Sequence, residues 1–154
     1  MKQITIISVG KKPNEPTNVL IESYQKRLES KFKIDWVYIN FLSGKMSKAE
    51  QIQKESELIK ARINKQTTIL LDERGQQVDN EQLSQQLSKL HYSSDHLVFI
   101  IGGAYGVSEE LRSICSFVWS LSRLVFPHQL VRLLLIEQIY RSQTIVDGQP
   151  YHHQ

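Results

Sequence analysis

Six side chains that can transfer protons or carry charge lie close together in the last part of the chain. They are His128, Arg132, Glu137, Arg141, Tyr151 and His152. A histidine or tyrosine can exchange a proton with a substrate, and an arginine can stabilise a developing negative charge. The spacing also allows a purely structural interpretation, because Glu137 and Arg141 are four residues apart and would pair on a helix. His128 could simply begin that helix, and the tail after Asp147 could be frayed.

A second candidate is the turn GGAYG at 102–106. Its glycines permit positive φ angles and a close approach of the backbone to a ligand. The turn lacks the G-x-G-x-x-G spacing of a dinucleotide-binding loop, so a Rossmann dinucleotide site is disfavoured. The histidines have no carboxylate or cysteine partners at metal-ligand spacing, and neither a nucleophile elbow nor a Walker loop is present. We therefore expect neither a metal site nor a common hydrolase or NTPase site.

The elements that must position these residues alternate regularly between strand and helix. Apolar, β-branched runs predict strands over 3–9, 34–41, 67–72 and 96–101, with a fifth within 117–126. Amphipathic stretches predict helices over 18–30, 47–64, 79–90 and 129–142, and a short one beginning near Ser108. Near-continuous apolar strands in this alternation are typical of a parallel sheet covered on both faces. The sequence therefore predicts one α/β domain over 1–154.

Three predicted loops follow strands in the second half of the chain: 72–76, 102–106 and 121–128. In open α/β sheets, ligands bind beyond the carboxyl ends of the strands. We therefore expect the ligand site where these three loops meet.

The final helix is apolar on more of its circumference than one packed face requires. Its apolar residues are Leu130, Val131, Leu133, Leu134, Leu135, Ile136, Ile139 and Tyr140. One face can pack on the sheet and the other can form a subunit interface, which predicts a homodimer. The alternative is a central helix buried within a monomer.

The composition bears on the partner and the cellular compartment of the protein. The net charge is +3 and the pI about 9.0, which favours a polyanionic partner without indicating a basic tail. The single cysteine, Cys115, cannot form an intrachain disulfide. No signal peptide or transmembrane stretch is visible, so we expect a cytoplasmic protein that does not bind membranes.

Several motifs together resemble the RlmH family of ribosomal RNA methyltransferases, which belongs to the SPOUT class. They are ISVGK at 7–11, LLDERG at 70–75, VFIIGGAYG at 98–106, SLSRLVFPHQLVRLLLIEQIYR at 120–141 and PYHH at 150–153. The resemblance spans nearly the whole chain. It implies a SPOUT-type α/β fold whose C-terminal segment forms a deep trefoil knot. Such a knot would be an exception to the general rule that protein chains are not knotted. The resemblance also implies a homodimer formed through the knotted region.

The resemblance further implies S-adenosyl-L-methionine (SAM) as cofactor, held mainly by backbone groups of the three loops. Carried over by motif, the cofactor-binding residues are Leu71, Gly102, Gly103, Leu121, Ser122, Arg123, Leu124, Val125 and Phe126. The implied substrate is a pseudouridine in helix 69 of 23S rRNA, methylated at N3 on the assembled 70S ribosome.

Methylation at N3 requires loss of a weakly acidic proton, so a base or a nearby cation would help. The candidates are Tyr151 and His152 for the proton and Arg132 or Arg141 for the charge, and sequence does not rank base catalysis above positioning. Where many relatives of the RlmH family carry a basic residue after the YH pair, this chain has His153 and Gln154. Two rival functions remain: a non-catalytic ribosome-binding protein and another α/β nucleotide-binding enzyme.

Overall fold

Five strands and five helices alternate along the chain in the computed structural model, which describes residues 1–40 and 42–153. The strands are β1 (Lys2–Val9), β2 (Phe32–Ile39), β3 (Thr67–Gln76), β4 (His96–Ile101) and β5 (Phe117–Trp119). The helices are α1 (Glu15–Leu28), α2 (Lys48–Lys60), α3 (Asn80–Ser93), α4 (Glu109–Ile114) and α5 (His128–Val146). The prediction of strand-helix alternation is confirmed, with β4 at its predicted bounds. The parts of the predictions that fall on Phe41 and Gln154 lie outside the described residues.

All strand pairs in the sheet are parallel, in the order β2-β1-β4-β3-β5. The predicted parallel sheet is therefore confirmed. β3 continues to Gln76, beyond the predicted end at Asp72, because it pairs with β5 again after a register shift between Leu71 and Gln76. A Cβ atom on Gly75 would lie 2.6 Å from the carbonyl oxygen of Val118, so only glycine fits this contact between the two chain segments.

Side chains alternate between the two faces of the sheet, as strand geometry requires. In β1, Ile4 and Ile6 pack on one face, with apolar residues of α1, α3 and α5. Ile7 and Val9 pack on the other face, with residues of α2 and α4. The predicted coverage of both faces by helices is confirmed.

Side-chain caps set the beginnings of the helices. Ser47 caps α2, Asp79 forms a capping box with Gln82 at α3, and Ser108 caps α4. The prediction placed the start of α1 at Asn18, which is too late. Asn14 accepts a hydrogen bond from the Thr17 N–H at 3.1 Å, so the helix begins at Glu15, with a proline in its first turn, where a missing N–H costs little.

The last helix is longer than predicted and is buried on one face only. Leu135, Ile136 and Ile139 are fully enclosed in the core, whereas Leu130 and Leu134 remain 45% and 37% exposed. The structure thus leaves a second apolar face of α5 uncovered in the single chain. No helix within the described ranges is both long and apolar enough to cross a membrane.

Candidate functional site

A cavity of about 990 Å³ opens beyond the carboxyl ends of β3 and β4. The three loops predicted from the sequence meet around it, since Asp72, Gly103 and Phe126 all line its wall. Lys48 and Ile52 of α2 complete one side. The volume lies at the upper end of the range of small-molecule sites.

Most of the predicted cofactor-binding residues line this cavity. They are Leu71, Gly102, Gly103, Leu121, Ser122, Leu124, Val125 and Phe126. Arg123 is exposed and is not part of the wall. Leu124 and Val125 are 71% and 79% exposed, so they form a rim rather than the floor. The structure therefore brings the residues together, and their binding of a cofactor remains a prediction.

Close packing explains the glycines of the turn after β4. A Cβ atom on Gly102 would lie 2.8 Å from Cγ1 of Val107, and one on Gly103 would overlap both carboxylate oxygens of Glu55. Gly106 has a φ of 82° and donates its N–H to the Gly103 carbonyl at 3.1 Å. The cavity wall at these three glycines is therefore bare backbone.

A carboxylate orders the predicted loop 72–76, which the structure makes the last part of β3. Asp72 accepts hydrogen bonds from Arg74 at 3.1 and 3.3 Å and from Arg112 at 2.5 Å. Burial alone would raise the pKa of Asp72, but the hydrogen bonds and charges of the two arginines outweigh it and lower the pKa. Asp72 is thus a paired anion that fixes the loop, and it is unsuited to accept a proton at neutral pH.

His128 both begins α5 and lines the cavity. Its Nδ1 lies 3.2 Å from the Val9 carbonyl oxygen, which can only accept, so Nδ1 carries the proton and Nε2 has a free lone pair. Burial lowers the pKa of His128, and the nearby Arg132 charge lowers it further, against the opposing hydrogen bond to Val9. The neutral imidazole is therefore the stable form. The predicted ligand loop 121–128 ends at His128, but the cofactor-binding residues carried over from the family motifs end at Phe126 and do not include it.

The tail of the chain is docked rather than frayed. The Tyr151 hydroxyl donates to Oε1 of Glu137 at 3.0 Å, and Arg141 donates to the same oxygen at 2.7 and 3.1 Å. The ring of Tyr151 packs edge-on against the ring of Tyr140, with 4.8 Å between the two ring centroids. The helical ion pair expected from the spacing is present, and it also anchors the tail.

These contacts occupy polar atoms of the two tail residues. Arg141 can only donate, so Nδ1 of His152, 3.2 Å away, is the acceptor of this hydrogen bond. Burial and the hydrogen bonds with Tyr24 and Glu137 raise the pKa of Tyr151 far above its ordinary value. Tyr151 is therefore held as the protonated phenol, and because its one O–H is used by Glu137, its remaining hydrogen-bonding capacity is that of an acceptor.

Arg132 lies apart from the tail. It is 1% exposed and donates to Oγ of Ser8 and to the Lys11 carbonyl, each at 2.7 Å. Its guanidinium carbon lies 4.9 Å from the centre of the Tyr38 ring, and no described carboxylate lies within 4.0 Å of it. Burial lowers its pKa. The protein thus holds an unneutralised positive charge beside His128, as both side chains are near Gly10.

The structure therefore divides the predicted catalytic residues into two groups. Tyr151, His152 and Arg141 form one cluster, and Arg132 lies about two and a half turns earlier on α5, a rise of roughly 13 Å. None of the four lines the cavity of its own chain. Among the described side chains, no group of three or more His, Cys, Asp or Glu is arranged to hold a metal ion.

The similarity to known proteins extends over almost the whole chain. The family described as "Predicted SPOUT methyltransferase" matches residues 1–152. The protein named "Ribosomal RNA large subunit methyltransferase H" from Legionella pneumophila (strain Paris) is 38% identical over 155 residues, which cover 99% of each chain. Its namesakes are 40% identical in Flavobacterium psychrophilum, covering 98% of this chain and 99% of theirs, and 37% in Acetivibrio thermocellus, covering 97% and 99%. The recognition made from the motifs is confirmed: the chain belongs to the RlmH family of SPOUT methyltransferases.

Proposed function

We propose that the protein is a SAM-dependent methyltransferase that modifies N3 of a pseudouridine in helix 69 of 23S rRNA, on the assembled 70S ribosome in the cytoplasm. The observation that carries the proposal is the cavity formed by the three strand-end loops, whose lining residues are those of the family motifs. The names of the relatives, which describe large-subunit ribosomal RNA methyltransferases, support the substrate class. The net charge of +3 suits an RNA partner.

The cavity fits the proposed cofactor in size and chemistry. Leu71, Leu121 and Phe126 offer apolar wall for the adenine ring, and Gly102 and Gly103 leave backbone groups bare for its polar edges. When bound, SAM supplies a methyl group already activated on a sulfonium sulfur. The protein's own task is then to align the acceptor nitrogen and to exclude water. It must also accept the N3 proton or stabilise the negative charge that its loss leaves on the base.

Within one chain, His128 is better placed than the tail to accept that proton. It lines the cavity, and its Nε2 has a free lone pair because Nδ1 donates to Val9. The buried charge of Arg132 beside it favours a negatively charged neighbour. Tyr151 is held as the protonated phenol with its O–H used by Glu137, so it suits the positioning of the tail better than base catalysis.

We also infer a homodimer in which the partner's tail reaches the cavity. The inference rests on the separation of the tail cluster from the cavity in one chain and on the exposed apolar side chains of the α5 face and the cavity rim. These are Leu124, Val125, Leu130 and Leu134. A subunit interface would cover them and complete the site.

The C-terminal trefoil knot is likewise a proposal. It is supported by the path of the chain, which leaves the sheet edge at β5, touches β3 where the Ser120 N–H donates to the Gln76 carbonyl at 2.9 Å, and returns to α1 and α3. A crystal structure traced from both ends tests it directly. A chain that can be pulled straight from its termini would exclude the knot.

The decisive experiment is transfer of labelled methyl from SAM to 70S ribosomes from a strain lacking the modification, with free 23S rRNA as the comparison. We expect incorporation on ribosomes, and mass spectrometry of the helix 69 fragment should place it at N3 of one pseudouridine. Binding of SAM without incorporation would favour the non-catalytic ribosome-binding function. Absence of SAM binding in calorimetry would exclude the proposed cofactor and favour another nucleotide-binding enzyme.

A further inference from the structure

Glu55 is a buried acid that the proposed mechanism does not use. It lies on α2, on the same face as Ile52 and Ile59, and only 3% of its surface is exposed. Its Oε1 is enclosed and has no hydrogen-bond partner. An acid at an inward-facing helical position is a signal that the sequence contained and that hydrophobic patterning did not single out.

No cation in the described part of the chain neutralises this carboxylate, since no Lys or Arg nitrogen lies within 4.0 Å of it. Burial raises the pKa of Glu55, and a hydrogen bond with the Gln51 side chain lowers it by a smaller amount. A buried, unpaired carboxylate is costly to the folded state. Groups of this kind are concentrated at functional sites.

The carboxylate lies directly behind the cavity wall. Its carbon, Cδ, is 2.7 Å from the position that a Cβ atom of Gly103 would occupy, so it fills the space left by the missing side chain. Gly103 and Ile52, which flank Glu55, both line the cavity. A charge there acts on the cavity across a single glycine backbone, in surroundings that screen it poorly.

We propose that Glu55 is a specificity-determining residue whose negative charge favours a permanently cationic ligand in the cavity over a neutral one of the same shape. With the proposed cofactor, on which this inference rests, the charge distinguishes the sulfonium of SAM from the thioether of S-adenosylhomocysteine. The preference follows from Coulomb attraction, which falls only inversely with distance. At about 10 Å and an effective dielectric constant of about 20, it corresponds to roughly a tenfold change in affinity.

Calorimetry with SAM and with S-adenosylhomocysteine tests the proposal on the wild type, Glu55→Gln and Glu57→Gln. Glu57 is exposed on the same helix, so its substitution removes an equal charge away from the cavity. We expect Glu55→Gln to reduce the affinity for SAM about tenfold relative to S-adenosylhomocysteine. Glu57→Gln should leave the ratio of the two affinities unchanged. Glu55→Asp, which keeps the charge, should retain most of the preference.

The proposal is overturned if Glu55→Gln leaves the ratio of the affinities for SAM and S-adenosylhomocysteine unchanged. This holds whether both affinities fall together or neither falls. An equal loss with a lower melting temperature would show that Glu55 only supports the turn. If Glu55→Gln fails to fold, the wild type still decides: sinefungin, which carries an ammonium group where SAM carries the sulfonium, should bind more tightly than S-adenosylhomocysteine, and equal affinities would refute the proposal. A wild type that binds none of these ligands would remove the proposed cofactor as well, whereas methylation with an unchanged ratio removes only the role of Glu55.

Discussion

One carboxylate oxygen holds the C-terminal cluster together by accepting hydrogen bonds from two of its side chains. Oε1 of Glu137 accepts from both Tyr151 and Arg141, and burial together with the hydrogen bonds to Tyr24 and Glu137 raises the pKa of Tyr151 and keeps the phenol protonated. Arg141 in turn occupies the lone pair of His152 at Nδ1. The tyrosine and the histidine that the sequence offers as proton acceptors are therefore both engaged with other side chains in the fold. The neutral imidazole with a free nitrogen is His128 instead.

Tyr151→Phe should reduce single-turnover methyl transfer to ribosomes by less than about tenfold, since the phenol is not a base. His128→Gln should reduce it by about 100-fold or more, the range of general-base catalysis. Both variants should bind SAM with near wild-type affinity in calorimetry. A loss of 100-fold in Tyr151→Phe alone would return the role of base to the tail.

His91 gives a prediction about stability. It lies on α3, stacked on Phe32, and its enclosed Nδ1 has no partner. Burial, assisted by the charge of Lys2, lowers its pKa from 6.5 to about 4. Between these values the unfolded chain binds a proton that the folded chain does not. The free energy of unfolding should therefore be insensitive to this group above pH 6.5 and fall as the pH drops toward 4.

Urea unfolding of the wild type and of His91→Phe at pH 8 and pH 4.5 measures this effect. The wild type should lose roughly 1–3 kcal/mol more than the variant over that interval, because the variant lacks the titrating group. Equal losses in the two proteins would show that His91 titrates normally in the fold.

Among the elements, the turn between β4 and α4 depends most strongly on glycine. The carboxylate of Glu55 occupies the place where a Cβ atom of Gly103 would lie. The side chain of Val107 leaves too little room for a Cβ atom on Gly102. Any side chain at Gly103 must displace the carboxylate of Glu55 from its place behind the turn. The close approach that the sequence suggested for a ligand is therefore also an approach between two parts of the protein.

Gly103→Val should weaken SAM binding by at least about tenfold in calorimetry, because the branched side chain displaces the Glu55 carboxylate and disturbs the cavity wall at this turn. Gly44→Ala is a suitable control. Nothing lies within 4 Å of its added Cβ, although its φ of 55° makes the substitution cost on the order of 1 kcal/mol of stability. Unchanged SAM affinity in a folded Gly103→Val protein would place the site elsewhere.

For the whole molecule, the uncovered face of α5 is the main indication of self-association. Leu130 and Leu134 are one helical turn apart and are exposed, although the opposite face of the helix is fully buried. Full burial of an exposed leucine contributes roughly 1.5–3 kcal/mol, and the exposed fractions of these two leave somewhat less than half of that to be gained at an interface. A second copy of the chain would provide that burial.

Light scattering at micromolar concentration should therefore give twice the 17.9 kDa mass of the chain. Leu134→Glu should shift the protein toward the monomer, because an unpaired carboxylate would be buried at the interface. Tyr92→Glu, at a side chain that is 94% exposed on α3, should remain dimeric. A monomeric wild type would refute the homodimer and, with it, the contribution of the partner's tail.

The sequence by itself determined the order of the elements, the bounds of β4, and the starts of α2, α3 and α4 near Ser47, Asp79 and Ser108, because apolar periodicity and capping depend on neighbouring residues. It also located the three loops of the cavity, since parallel strands place their carboxyl ends at one edge. Only the tertiary structure decided that Glu55 lies behind Gly103, that His128 rather than the tail faces the cavity, and that Arg132 is separated from Arg141. These outcomes depend on contacts between segments far apart in the chain, which the packing of the whole molecule selects and no local pattern records.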